Sequence, residues 1–212
     1  MNSLMPIEPL LDVDSVHHQQ SEHATVLTKI YEPKINIVIW QHALSPALKA
    51  EFGRYLEAAK ELELALQIAT SNITCEVSEP LKRLNFSDAM VAHIIEIVDM
   101  FSCLFELRVV GFRLKMLKTA MCPKFHVDKV PVRLVTTLAG AGSEWLRNQH
   151  VSRDDNKLTL ASEADAIQLA CGDVALLKGE RWEGNEGRGL VHRSPAVVIG
   201  EKRLLLTLDF IA

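Results

Sequence analysis

The chain lacks any pair of cysteines at the two-residue spacing of a zinc knuckle or a redox motif. Its four cysteines, Cys75, Cys103, Cys122 and Cys171, stand far apart and read as free thiols of a reducing compartment, mostly buried. No apolar run approaches the roughly 20 residues needed to span a bilayer, so no membrane partner is expected. Positive charge is not in excess: 23 Lys and Arg against 27 Asp and Glu leave a formal net charge of −4, which gives no footprint for nucleic acid. The opening residues, MNSLMPIEPLLDVD, show no basic start followed by an apolar stretch, so a cytoplasmic location is expected. GAGSEW (140–145) is not followed by a helix signal, which removes a phosphate-cradling loop. Ser143, Ser152 and Ser194 lack the turn context of a nucleophilic serine. Tyrosine is absent after residue 55. What remains is 48% hydrophobic and 24% charged, an ordinary globular composition of a length that supports one domain with a substantial core.

Residues 1–25 are polar and acidic without a sustained period and read as a loosely docked tail. INIVIWQH (35–42) is β-branched and apolar, which predicts a strand. Ser45-Pro46 opens a helical stretch expected to run to about residue 70, with Leu48, Phe52, Leu56, Leu62, Leu64 and Leu66 on its apolar side. Ser87-Asp88 caps a second helix, AMVAHIIEIVDMFSCLFEL, in which His93 reads as a packed histidine. Near residue 107 the texture changes to short apolar or alternating runs: LRVVGFRLKML, PVRLVTTLAG, EWL, AIQLACG, DVALLKG, AVVIG and RLLLTLDF. Gly, Pro, Asn and Asp punctuate them, and about seven or eight strands fit. The expected fold is therefore α+β, one compact domain. A helical support region (26–106) precedes a core (107–212) closed as a cupin-like jelly roll, that is, a double-stranded β-helix.

Within that core, His126 and Asp128 are two residues apart, His192 follows 64 residues later, and Arg203 opens the last apolar run. On an extended strand, residues i and i+2 share a face, so one imidazole and one carboxylate can grip a single ion while a distant histidine completes a facial set. Two His and one carboxylate leave three positions of an octahedral ion open, the arrangement of non-haem Fe(II) oxygenases. Chance alone yields roughly 0.4 His-x-Asp pairs in such a composition, so the pair decides nothing by itself. Its order relative to the strands, the second His and the Arg is what carries weight. Cys122-x3-His126 is an alternative ligand spacing.

The segments FHVDKVPVRLVTTL, GDVALLKG and GLVHRSPAVVIGEKRLLLTLDF resemble the Fe(II)- and 2-oxoglutarate-dependent dioxygenase superfamily over about residues 108–212. The resemblance implies that His126, Asp128 and His192 hold the metal and that Arg203 anchors the distal carboxylate of 2-oxoglutarate. It also matches Gly172-Asp173 to a turn before the strand preceding the distal histidine. A guanidinium fork suits a carboxylate bidentately. Lys202 would point to the opposite face; Asp209 shares the face of Arg203, but six residues along a strand is roughly 20 Å, so it pairs with Arg203 only if the strand bends. The chain departs from the pattern where Leu205 stands in place of a Ser or Thr, with Thr207 two further on. A tyrosine that some members offer the cosubstrate is missing, and Thr137 or Arg133 would substitute. Trp182, Arg181 and Trp145 are candidates for a substrate entrance. The whole chain also resembles an uncharacterised bacterial domain family often encoded beside zinc-homeostasis GTPases. The leading expectation is an Fe(II)/2-oxoglutarate oxygenase acting on a small molecule or a protein side chain. The alternative is a cupin-like Zn(II)-binding or metal-handling protein without redox catalysis.

Overall fold

The computed structural model describes residues 17–154 and 157–211. Of the segment expected as a tail, residues 1–16 therefore lie outside the described residues, while His18–Ser21 form the first strand, β1. Then follow β2 (Ile37–Trp40), α1 (Pro46–Ala58), β3 (Glu63–Ala69), α2 (Ile73–Arg83), α3 (Asp88–Leu104), β4 (Val109–Leu117) and β5 (Val132–Ala139). The rest of the chain holds β6 (Glu144–Trp145), β7 (Val151–Asp154), β8 (Lys157–Leu160), β9 (Ile167–Gln168), β10 (Val174–Lys178), β11 (His192–Arg193) and β12 (Arg203–Phe210). No helix among the described residues is long and apolar enough to cross a membrane.

The helices start where their caps dictate. Ser45 accepts a hydrogen bond from Leu48 N ahead of Pro46 at the first helical position, and Ser87 accepts one from Met90 N, each satisfying a donor the helix cannot. α1 stops at Ala58, twelve residues short of the expected end. Leu62, Leu64, Leu66 and Ile68 recur every second residue, the period of a strand, and residues 63–69 pair with β4 from Glu63↔Lys115 to Ala69↔Val109.

A seven-stranded sheet in the order β1-β2-β10-β5-β12-β4-β3 organises the molecule. One of its faces meets the helices. Leu134 and Leu138 of β5, Leu204, Leu206 and Leu208 of β12, and Phe112 and Leu114 of β4 pack there with Phe52, Val77, Leu81, Ile94, Val98 and Phe101. The opposite face carries the alternate residues. Val135, Ala175, Leu177, Ile37 and Ile39 pack against Trp145, Leu169 and Leu190 of a small sheet, β11-β6-β9, and its flanks. A third sheet is the β7–β8 hairpin.

The expected closure into a jelly roll, or double-stranded β-helix, does not occur. The described residues form three separate sheets, none closed on itself, and the cupin-like description falls with it. Closing a sheet needs strands long enough to tilt and stagger all the way round. Here β6, β9 and β11 have two residues each. The long sheet is instead extended at its edges by β1, β2 and β3, strands from the first third of the chain. AVVIG, expected as a strand, follows Pro195, which lacks the N–H a ladder needs. Its Val198 and Ile199 project into solvent. The cysteines are free but not mostly buried: Cys75 and Cys103 are exposed, Cys122 and Cys171 intermediate.

The two-faced sheet predicts a sharp contrast in mutational cost. Leu206→Ala, at a fully buried position of the central β12, should cost about 2–5 kcal/mol in urea denaturation. Ile199→Ala, at a fully exposed position, should change stability by less than about 0.5 kcal/mol. Equal losses would contradict the packing described.

Candidate metal centre

Backbone pairing builds this site. His126 and His192 exchange both of their backbone bonds, His126 N to His192 O and His192 N to His126 O, each 3.0 Å, as an isolated antiparallel bridge. Residues so paired project to one face, and the two imidazole centroids lie 4.6 Å apart. β11 in turn pairs His192 with Trp145, so both histidines look inward from the small sheet toward the long one. On the outer side the next residues lock the same pairing, with the Arg193 guanidinium 4.2 Å from the Phe125 ring centroid and paired to Glu144 and Glu163. Nothing in the sequence singles out this clamp.

Asp128 completes the group. Its Oδ2 lies 3.3 Å from His192 Nε2 and its Oδ1 3.7 Å from His126 Nε2. All three ligand atoms fall within 4.8 Å of one another, the one such group of His, Cys, Asp and Glu found among the described residues; Cys122 does not belong to it. Ligands about 2.1 Å from an ion stand about 3.0 Å apart at octahedral angles and about 3.4 Å at tetrahedral ones, so the spacing accommodates a divalent ion. The ring Nδ1 of His126 donates to Lys124 O at 3.0 Å and that of His192 to Leu190 O at 3.2 Å. A carbonyl only accepts, so each Nδ1 carries a proton, which leaves Nε2 as the nitrogen of each ring that can serve a metal. Burial pushes the Asp128 carboxyl up, but the His192 hydrogen bond and the nearby His192, Arg133 and His126 charges outweigh it and hold the acid below the ordinary carboxylate range. The donor set is thus one carboxylate and two imidazole Nε2 atoms, which fits a divalent metal.

The ligand-bearing turn is fastened from below. Gly179 N donates to Pro131 O and Glu180 N to Asp128 O, each at 2.9 Å. A Cβ on Gly179 would collide with the carbonyl oxygens of Val130 and Asp128, so only glycine permits that approach.

Arg203 lies on the inward face of β12, as Leu205, Thr207 and Asp209 do, and is 1% exposed. Its Nη2 donates to Thr137 Oγ1 and Ser143 Oγ, each at 3.1 Å, whereas Nε and Nη1 meet no acceptor among the described residues. Among the described residues no carboxylate offsets the burial, which drags its pKa down to about 10. Thr137 lies beside the guanidinium, and Ser143 joins it as a residue that no sequence signal marked. Asp209 is not the partner of Arg203. It sits opposite Arg133 in the β5–β12 register and takes Arg133 bidentately at 2.7 and 3.0 Å, while Arg133 Nη1 reaches Asp128 Oδ2 at 2.8 Å. Arg133 thus meets two carboxylates of the chain itself. Lys202, on the opposite face, donates to Leu56, Glu57 and Ala59 carbonyls at the end of α1. Asp173 serves its own turn, accepting from His42 N and Ala170 N.

The expected entrance residues separate. Trp145 is 2% exposed, inside the core between the sheets. Trp182 packs on Tyr31 and Phe105 and under Lys178 on the helix side. Arg181 alone is exposed.

Residues 21–209 match the family described as Protein of unknown function (DUF1826), and the chain belongs to that family. No curated protein matches it. Among solved structures, dioxygenase for auxin oxidation 1 from Arabidopsis thaliana, in a binary complex with 2-oxoglutarate, is similar in fold. The TM-score is 0.53 at 12% identity, covering 93% of this chain and 92% of that one. A Pseudomonas putida prolyl-4-hydroxylase is similar at TM-score 0.50 and 12% identity, covering 88% and 97%. At such identity the likeness concerns the fold alone.

A cation whose folded pKa lies below its unfolded one destabilises the fold at every pH below that value, here about 10. Replacing uncompensated buried charge by an apolar side chain of similar volume is stabilising by about 1–4 kcal/mol. Arg203→Met should therefore raise the melting temperature of the ligand-free protein at pH 7 in calorimetry. A lower melting temperature would show that the guanidinium is satisfied where it stands.

Proposed function

We propose that the chain is an Fe(II)- and 2-oxoglutarate-dependent oxygenase acting on a small molecule or a protein side chain. The observation that carries this reading is Arg203, a buried guanidinium with no counter-charge among the described residues, on the face that the histidine–carboxylate group also faces. An isolated buried charge costs several kcal/mol, on the order of what a removable anion would return. A metal-handling protein without redox chemistry has no use for such a cation, whereas a site that captures a keto acid requires one. The fold likeness to the 2-oxoglutarate-bound auxin dioxygenase and to the prolyl hydroxylase is in keeping with it.

His126, Asp128 and His192 would hold the metal. Bound there, Fe(II) with a 2-oxo acid supplies oxygen activation coupled to oxidative decarboxylation. The chain's own contributions are distinct. The Lys124 and Leu190 carbonyls keep both imidazoles oriented through their Nδ1 protons. Arg203, with the Thr137 and Ser143 hydroxyls fixing its plane, would receive the far carboxylate of the diacid. Thr137 stands four residues, about 13 Å, along β5 from Arg133, so anchor and metal group occupy two stations of one inner face. Val135, Leu177 and Leu190, buried on that inner side, exclude water and strengthen each charged contact.

Anaerobic titration of the protein with Fe(II) and then 2-oxoglutarate tests this directly. A visible charge-transfer band that needs both additions is expected. Arg203→Met should weaken 2-oxoglutarate binding about 10- to 100-fold, in line with roughly 1.5–3 kcal/mol for hydrogen bonds to a charged group, and should leave metal affinity nearly unchanged. His126→Ala should lose the metal and keep the fold. Stoichiometric zinc binding with no 2-oxoglutarate affinity would favour the metal-handling alternative.

A further inference from the structure

Arg133 is arranged for something other than contact with a cosubstrate. It stands on β5 five residues after Asp128, with its guanidinium between two carboxylates. Asp209, directly across the β5–β12 ladder, takes Nε and Nη2 as a planar fork at 2.7 and 3.0 Å. Nη1 then goes to Asp128 Oδ2 at 2.8 Å. Only the fixed geometry of a guanidinium serves two carboxylates in different directions at once; an ammonium offers a point charge without that fork. The side chains of the trio are 25%, 28% and 12% exposed, sheltered enough for the bonds to be persistent.

From this geometry we infer that Arg133, backed by Asp209, is a positioning residue that braces the Asp128 carboxylate in a pose giving a metal one oxygen rather than two. The inference rests on the metal-binding reading above. With Oδ2 held by Nη1, the carboxylate is not free to swing both oxygens onto one ion, so coordination positions stay open. Asp209 has the complementary task. A lone guanidinium at hydrogen-bonding distance from a metal ligand would draw off its charge and repel the ion, more strongly in a sheltered site than in water. The paired Asp209 cancels most of that field, leaving the orientation without the repulsion. Brace and counter-charge thus form one device, and neither residue touches the ion.

The charge-neutral double variant Arg133→Gln/Asp209→Asn isolates positioning from electrostatics, because it removes the brace without changing local net charge. Co(II) titration under anaerobic conditions reads both affinity and, through the visible absorption of the bound ion, coordination number. The expected result is a 10- to 100-fold loss of Co(II) affinity, the range typical of partners behind a ligand, with an altered Co(II) spectrum. Asp209→Asn alone should weaken binding at least as much, since it leaves the Arg133 charge uncancelled. A folded double variant that binds Co(II) within about threefold of the wild type, with an unchanged spectrum, would overturn the inference and reduce the trio to a strand-to-strand lock. Should the double variant not fold, Arg133→Lys keeps the charge and loses the fork. An intermediate loss with a shifted spectrum supports the brace, and wild-type behaviour overturns it. A wild-type protein that binds no Co(II) brings down the metal-binding reading itself, and is thereby told apart from a failure of the brace alone.

Discussion

Two backbone hydrogen bonds between His126 and His192 hold together everything proposed for this protein. They join a segment before β5 to one just before the loop leading into β12, and by making the residues direct partners they turn both imidazoles to one face. A slip of one residue in this pairing would send both side chains to the other face. The pairing is only a bridge, too short to hold its register by ladder length. Its surroundings do so instead. Arg193 stacks on Phe125 outside, Trp145 lies across from His192 inside, and Gly179 lets the turn after β10 come up against the Asp128 backbone.

Two charged networks lie on the inward face of the long sheet, and they are opposite in kind. Around Asp128 every charge is answered: the acid by Arg133, Arg133 by Asp209. Around Arg203 no described residue brings a counter-charge, and two neutral hydroxyls fix the plane of the guanidinium. Folding pays for a buried cation in that state only where some other property requires it, and sites of function are where such local conflicts collect. On the function proposed above, the balanced network is the part of the site complete without a ligand, and the unbalanced one is the part that would take an acid.

Much of this was legible in the sequence. The grouping of His126, Asp128 and His192 could be read from their order relative to apolar runs, since β5, β10 and β12 are continuous enough to announce themselves. Ser45 and Ser87 placed the starts of α1 and α3. Less legible was anything set by partners distant along the chain. Residues 62–68 alternate strictly, but helix-forming Glu, Leu and Ala obscured the period, and a helix was expected where β3 pairs with β4. Two-residue strands such as β6 and β11 leave too little pattern to reveal whether sheets close, which is why the closed jelly roll was expected and three open sheets are found. Asp209 shares a face with Arg203 but lies roughly 20 Å along the strand, too far to pair with it unless the strand bends. Only the register across to β5 reveals Arg133 as its partner. Ser143 carries no signal at all, since its role depends on Arg203 arriving 60 residues later.

The central claim is that the inward face holds a metal at one station and a dicarboxylate at the other. Crystals grown anaerobically with Mn(II) and 2-oxoglutarate, measured at the manganese absorption edge, test it most directly. One anomalous peak is expected among His126 Nε2, His192 Nε2 and the Asp128 carboxylate, with the far carboxylate of the acid on Arg203. A peak elsewhere, or an acid that leaves Nε and Nη1 of Arg203 without an acceptor, would contradict it.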